Sequence, residues 1–248
     1  MKWRIIPFEK HDAFMNMALD EACSEAIMQG KAPSTIRFYG WDPSAVSIGY
    51  HQSILDEVNL EECKSQQVDV VRRRTGGGAV YHDTEGEITY SIIAPEAFFV
   101  KDILLSYKVI CQPIIDALSE LKLKAEFKPI NDIIVNGKKI SGNAQTRRQG
   151  VLLQHGTVLY DVDVRKMFSL LKVSQEKISD KMIATVEERV TSAKKLGLTD
   201  RNALYQSLER AFVNGREYEP GSWTEFELIR GKELSETKYK TKEWNFQR

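Results

Sequence analysis

Apolar and polar positions along the chain follow two periods. Phe14, Ala18, Ala22 and Ala26 recur every fourth residue with Met17 beside them, Asp12 can cap the start and Gly30 stops the run. This spacing predicts a helix over 13–29 whose alanine face allows close packing. Ile103, Leu104, Tyr107, Ile110, Cys111, Ile114, Ile115 and Leu118 keep the 3.6-residue period and predict a second helix over 101–121, lying across a sheet face. Shorter β-branched and aromatic runs at 35–39, 45–50, 68–73, 78–82 and 87–93 predict strands, expected to share one sheet. Asn136-Gly137, between Ile-Ile-Val and Lys-Lys-Ile, is a two-residue hairpin signal, and Gln149-Gly150 is a weaker turn before Val151 to Tyr160. Together they predict a β-meander. Further helices are expected over 164–171, 179–192 and 199–214, with 215–221 as a connector. The polar end, 238–248, carries Tyr239, Trp244 and Phe246 as anchors that pack back or meet a partner.

No repeat, low-complexity run or Pro-rich tether divides the sequence. The expected fold class is therefore α+β, a mixed, largely antiparallel sheet flanked by helices, with 1–248 as a single domain. The 248 residues, 42% of them hydrophobic, suffice for a real core. Thirty-five basic and 35 acidic side chains cancel, so no global field points to nucleic acid or an acidic membrane as partner. Cys23, Cys63 and Cys111 are odd in number and without CxxC spacing, which argues against disulfides and zinc and for reduced packing thiols in a cytoplasmic protein. No stretch approaches the ~20 apolar residues of a membrane span.

Chemistry concentrates in two places. RRRTGGGAVYHD, Arg72 to Asp83, sets three glycines between cations and a His-Asp pair, so a ligand can lie on backbone N–H groups. A guanidinium beside such a loop suits a carboxylate or phosphate, although a surface arginine run would leave the same pattern. On a strand, Arg73 would point away from Arg72 and Arg74. Neither GxxxxGK[ST] nor a strand-following GxGxxG is present. The second cluster is Asn131-Asp132, Lys138-Lys139 and Ser141-Gly142-Asn143-Ala144. Across the hairpin, Asp132 and Lys139 can approach, and Gly142 and Ala144 leave room for a ligand. A lysine there can stabilise a phosphate or a developing oxyanion, and Asp132 can coordinate Mg2+; a merely soluble turn is the alternative. His82 and His155 fall at strand ends without HExxH spacing, and no GxSxG supports a hydrolase triad.

At these residues the chain resembles the lipoate-protein ligase family, in the wider group of biotin and lipoate ligase catalytic domains related to class II synthetases. The resemblance runs over NMALDEA (16–22), RFYGWDPSAVSIGYHQ (37–52), RRRTGGGAVYHD, NDIIVNGKKISGNAQ (131–145), LQHGTVLYDVD (153–163) and YKTKEWN near the end. It implies an ATP-dependent enzyme in which lipoate and MgATP form lipoyl-AMP, and a lysine of a lipoyl domain of 2-oxoacid dehydrogenases, or of the glycine-cleavage H protein, then takes the lipoyl group. By motif, Lys139 would contact phosphate and reactive carbonyl. Arg73 would lie near the acyl-phosphate, with Gly76, Gly77, Gly78, Ala79, Val80, Tyr81 and His82 around the lipoyl-adenylate. Asn131 and Asp132 would serve nucleotide or Mg2+, and His155 would shape the pocket. The apolar slot is expected around Gly78 to Tyr81 and on the small-residue face of the first helix.

Two departures from the family matter. Many members continue into a small C-terminal domain, whereas this sequence resembles the large domain alone, so a separate small accessory polypeptide is expected for adenylation. Related octanoyltransferases carry the acyl group on a cysteine, but Glu126 stands at the corresponding place before Phe127, and no cysteine follows Gly156. The missing thiol favours the ligase over the alternatives, an octanoyl or lipoyl transferase without ATP and a noncatalytic lipoate-binding module.

Overall fold

In the computed structural model, which describes residues 2–172 and 188–248, the chain begins with strand β1 (Lys2–His11) and helix α1 (Ala13–Met28). There follow β2 (Thr35–Trp41), β3 (Ala45–Ile48), the short helices α2 (Ile54–Glu57) and α3 (Leu60–Ser65), β4 (Asp69–Arg72), β5 (Val80–His82) and β6 (Glu87–Pro95). Helix α4 (Ile103–Glu120) leads into four strands, β7 (Ala125–Lys128), β8 (Asp132–Val135), β9 (Lys138–Arg148) and β10 (Val151–Leu159). The rest comprises α5 (Val164–Leu170), α6 (Arg201–Val213), β11 (Glu217–Pro220), α7 (Glu225–Leu234), a π-turn over Ser235–Tyr239 and α8 (Lys242–Asn245). The helix expected over 179–192 lies mostly outside the described residues; at its described end, residues 188 and 189 are helical and Val190 bridges to Lys139 in parallel.

The sheet is mixed and largely antiparallel, in the order β11-β1-β2-β6-β10-β9-β8-β7. Its β1 pairs in parallel with both β2 and β11, and its remaining neighbours are antiparallel. The expectation of a single sheet is corrected: β4-β3-β5 form a second one. These three- and four-residue strands bury Val46, Ile48 and Tyr81 with Ile54, Val58 and Cys63 in a core of their own. β1 carries no sequence signal because Pro7 lacks an N–H and the register shifts between Ile6 and Glu9. The expected connector 215–221 contains β11, a fully exposed edge strand whose Glu-Tyr-Glu-Pro has no apolar alternation.

Alternation places Ile36 and Phe38 of β2, Ile88, Tyr90 and Ile92 of β6 and Leu152 and Val158 of β10 on one sheet face. There they meet Ile110, Ile114 and Leu118 of α4 and Leu204, Leu208 and Phe212 of α6. The opposite face takes α1, itself covered by α7, where Gly231 lets the two helices approach at Leu19. At the chain end Tyr239 is fully buried and donates to Glu21 at 2.6 Å, and the Trp244 indole donates to the Arg72 carbonyl at 2.8 Å. Phe246 stays exposed. No described helix is long and apolar enough to cross a membrane.

Candidate functional site

The face beneath α1 mixes apolar side chains, Tyr39, Trp41, Ile93 and Leu153 among them, with polar ones. Arg37 and Trp41 of β2, Glu87, Thr89 and Ser91 of β6 and His155 of β10 alternate with the core residues just named, and all are buried. Buried polar groups call for partners, and most of these form two chains of contacts, while Arg37 Nη1 has no hydrogen-bond partner. In the first, the Asp20 carboxylate of α1 lies 3.1 Å from Arg37 Nε, accepts from Ser91 Oγ at 2.8 Å and meets His155 Nδ1 at 3.3 Å. The other imidazole nitrogen, Nε2, lies 2.7 Å from Thr75 Oγ1, and Thr75 in turn accepts from Arg73 Nε at 3.1 Å. Burial holds the His155 pKa below its ordinary value, Asp20 opposing the shift while Arg73 and His82 add to it.

In the second chain, Ser47 Oγ of β3 lies 2.8 Å from His82 Nε2 of β5, and His82 Nδ1 lies 2.7 Å from Glu87 Oε1 of β6. The Trp41 ring stacks on the imidazole at 4.0 Å and 17°, fixing its plane. Thr89 also donates to Glu87, and the Trp41 indole donates to Thr89.

Arg73 ties the two chains to the glycine loop. Its Nη1 donates to the carbonyl and hydroxyl oxygens of Ser47, each at 3.2 Å, and its Nη2 donates to the Gly76 and Gly78 carbonyls at 2.7 and 2.8 Å. The guanidinium therefore shapes the loop from beneath, and burial pulls its pKa down to about 10. Arg72 is fully buried and clamps the carbonyls of Gly49, Tyr50 and Gln52 against those of Trp244 and Asn245. Arg74 lies 3.8 Å from Glu21. β4 ends at Arg72, so the three arginines do not alternate along one strand.

The hairpin supplies the opposite wall. Lys139 Nζ meets Asp132 Oδ1 at 2.7 Å. Asp132 faces Gly142 in the register, and a Cβ at Gly142 would stand 2.8 Å from the Lys139 ammonium, so glycine there is room for the cation. Asn143 accepts from the Tyr90 hydroxyl at 2.8 Å and donates to the Asn131 carbonyl at 2.9 Å, fixing the strand end on which Asn131 sits.

Between the walls lies a cleft of about 220 Å³. Of the residues expected from sequence, Arg73, Gly77, Gly78, Ala79, Val80, His82, Asn131, Lys139, Gly142, Ala144 and His155 line it. Three do not. Gly76 serves Arg73, Tyr81 turns into the second core with its hydroxyl 2.8 Å from Asp83, and Asp132 backs Lys139. Asp132, the expected Mg2+ ligand, belongs to no group of three or more His, Cys, Asp or Glu side chains able to hold a metal among the described residues. The apolar slot is formed by Met17, Tyr39, Trp41, Ala79 and Val80. Sequence reasoning did not single out Asp20, Ser47, Thr75 or Glu87, although all but Glu87 fall within quoted motifs, and it named Asn143 in the second cluster without giving it a role. The three cysteines are buried and free, none lines the cleft, and burial pushes the Cys63 and Cys111 thiols up to about 11 and about 12.

An apolar slot closed by a glycine loop and a hairpin cation has the form of a small-molecule site, apolar walls with a few convergent polar groups. Residues 12–213 match the lipoyl protein ligase A/B catalytic domain, and the chain belongs to that family. It is 36% identical to octanoyltransferase LipM of Brevibacillus brevis, with 100% of this chain and 99% of the relative aligned. Octanoyltransferase LipM of Clostridioides difficile is 34% identical over the same shares. A solved bi-partite lipoate protein ligase from Thermoplasma acidophilum, described with its E2 lipoyl domain, superposes with a TM-score of 0.90 at 30% identity, covering 99% of this chain and 96% of that one. The full-length LipM relatives overturn the expectation of an ATP-dependent lipoate-protein ligase, because an octanoyltransferase moves its acyl group without adenylation. The inference from the missing thiol at Glu126 fails with it: one absent side chain does not determine the acyl donor.

Proposed function

We propose that the protein is an octanoyltransferase, moving an octanoyl group from the thioester of an acyl carrier to a lysine of a lipoyl domain or of the glycine-cleavage H protein. The observation that carries this reading is the full-length similarity to LipM octanoyltransferases. The cleft supports it chemically. Met17, Tyr39, Trp41, Ala79 and Val80 offer an apolar wall for an acyl chain. Lys139, with its side chain 43% exposed, stands at the open side as a cation for charge developing on the acyl oxygen. A lipoyl domain as acceptor accords with the E2 lipoyl domain described with the Thermoplasma ligase. The small accessory polypeptide belongs to the adenylation scheme and is not part of this proposal. Mixing the chain with an octanoyl-acyl carrier thioester and a lipoyl domain, without ATP, is expected to give the octanoylated lysine by mass spectrometry. Acceptor modification only with ATP and free acid would overturn the proposal.

The loop's position also carries an expected result. A Cβ at Gly49 would fall 2.0 Å from the Gly77 carbonyl oxygen, a backbone atom that cannot swing away. Gly49→Ala must therefore shift the glycine loop, and a displacement near 1 Å is expected to cost roughly 10²-fold in kcat/KM. Steady-state transfer kinetics check it, and unchanged kinetics would show that the loop's placement does not govern turnover.

A further inference from the structure

Resting on the transferase reading, the geometry points to an acyl relay: we infer that Ser47, His82 and Glu87 act together, with Ser47 Oγ carrying the octanoyl group as an ester between donor thioester and acceptor lysine. Ser47 and His82 both line the cleft. The two contacts of 2.8 and 2.7 Å that join hydroxyl, imidazole and carboxylate lie within the range of a nucleophile, its base and the group that orients the base. The order of donors follows from chemistry. The Trp41 indole donates to Thr89, Thr89 donates to Glu87 Oε1, and the same oxygen accepts from His82 Nδ1, which leaves Nε2 to accept from the Ser47 hydroxyl. Arg73 Nη1 donates to the same oxygen at 3.2 Å, placing a fixed cation where negative charge would arise.

Other cleft groups fit the role less well. Lys139 would form an amide that does not release its acyl group, and Thr89 already donates to Glu87. Among the described residues, Ser47 is the cleft-lining hydroxyl with an imidazole nitrogen in hydrogen-bond reach. The Thr75–His155–Asp20 chain has similar connectivity, but Thr75 is fully buried and does not line the cleft. It therefore positions Arg73 and not substrate.

The steps balance without a further reagent. Ser47 Oγ attacks the thioester carbonyl as its proton passes to His82 Nε2; the C–S bond breaks and the departing thiolate takes that proton as the carrier thiol. The acceptor lysine, as free amine, then attacks the ester and gives a proton to His82 Nε2. The C–O bond breaks, and the proton returns to Ser47 Oγ.

The test uses the full chain with an octanoyl-acyl carrier thioester, quenched before acceptor is added, and peptide mapping by mass spectrometry. One octanoyl ester is expected on Ser47, stable to neutral hydroxylamine, where a thioester would be cleaved. S47A is expected to lose the label and to slow transfer by roughly 10³-fold at an unchanged unfolding midpoint, and S47C to carry a hydroxylamine-labile adduct instead. Octanoylated acceptor formed at the wild-type rate by S47A, or a label on another residue, overturns the relay alone. Failure of the wild-type chain to octanoylate any acceptor from the thioester overturns the transferase reading and the relay with it.

Discussion

Lys139→Ala is expected to lower kcat for octanoyl transfer by about 10²–10³-fold while leaving KM nearly unchanged, the signature of a contact made in the transition state and not in the ground state. The reason lies in how the cation is held. Ile134 faces Lys139 and Asp132 faces Gly142 in the β8–β9 register, so a tight turn brings carboxylate and ammonium to 2.7 Å. Gly142 leaves the space the ammonium occupies. A charge fixed in this way needs no reorganisation when the carbonyl oxygen becomes negative. Lys139→Met keeps the methylene packing and removes only the charge, so it should match alanine if electrostatics dominate. A rise in KM with kcat intact would instead show that Lys139 only binds substrate.

The readability of this site in the sequence followed distance along the chain. Lys139 and Asp132 sit seven residues apart across an Asn-Gly turn, and the glycine loop is continuous, so both were visible as local patterns. Ser47, Glu87 and Asp20 belong to no local chemical pattern in their strands or helix. Their company comes from strand pairing and helix packing: Ser47 faces Val80, two residues before His82, and Ser91 faces His155. Arg73 was legible as a cation but not in its use, since its donors are spent on loop carbonyls only once the loop has folded over it. The same holds for the fold. α1, α4 and the β8–β10 meander have long, regular periods or a turn signal, whereas β1 is interrupted at Pro7 and β11 offers no apolar face. Helix α7 did carry a signal, Thr224 followed by Glu227, and the structure shows a complete capping box there.

Glu227→Ala is expected to destabilise the fold by about 3–5 kcal/mol, because it leaves the Arg4 guanidinium buried without its counter-charge. Arg4 of β1 is 4% exposed and Glu227 of α7 is fully buried, with two N–O contacts of 2.7 and 2.5 Å between them. Burial alone would raise the Glu227 carboxyl, but Arg4 and the Thr224 cap outweigh it and hold the pKa below its ordinary value. The sign of the pH dependence follows. A depressed folded pKa contributes stability that is fully present above the unfolded carboxylate value, about 4.3, and disappears as pH falls through the folded one. Urea-unfolding midpoints of wild type and E227A should thus differ most near neutrality and draw together as pH falls from about 4.3 through the depressed Glu227 pKa. Replacing both partners, as Arg4→Met with Glu227→Leu, should cost much less than the single change, since no buried charge is then left unpaired. The result bears on function because α7 covers α1, the helix that brings Met17 to the cleft and Asp20 to His155. Loss of the ion pair should therefore loosen the cleft's wall, lowering the temperature at which transfer fails before it alters the chemistry at Lys139.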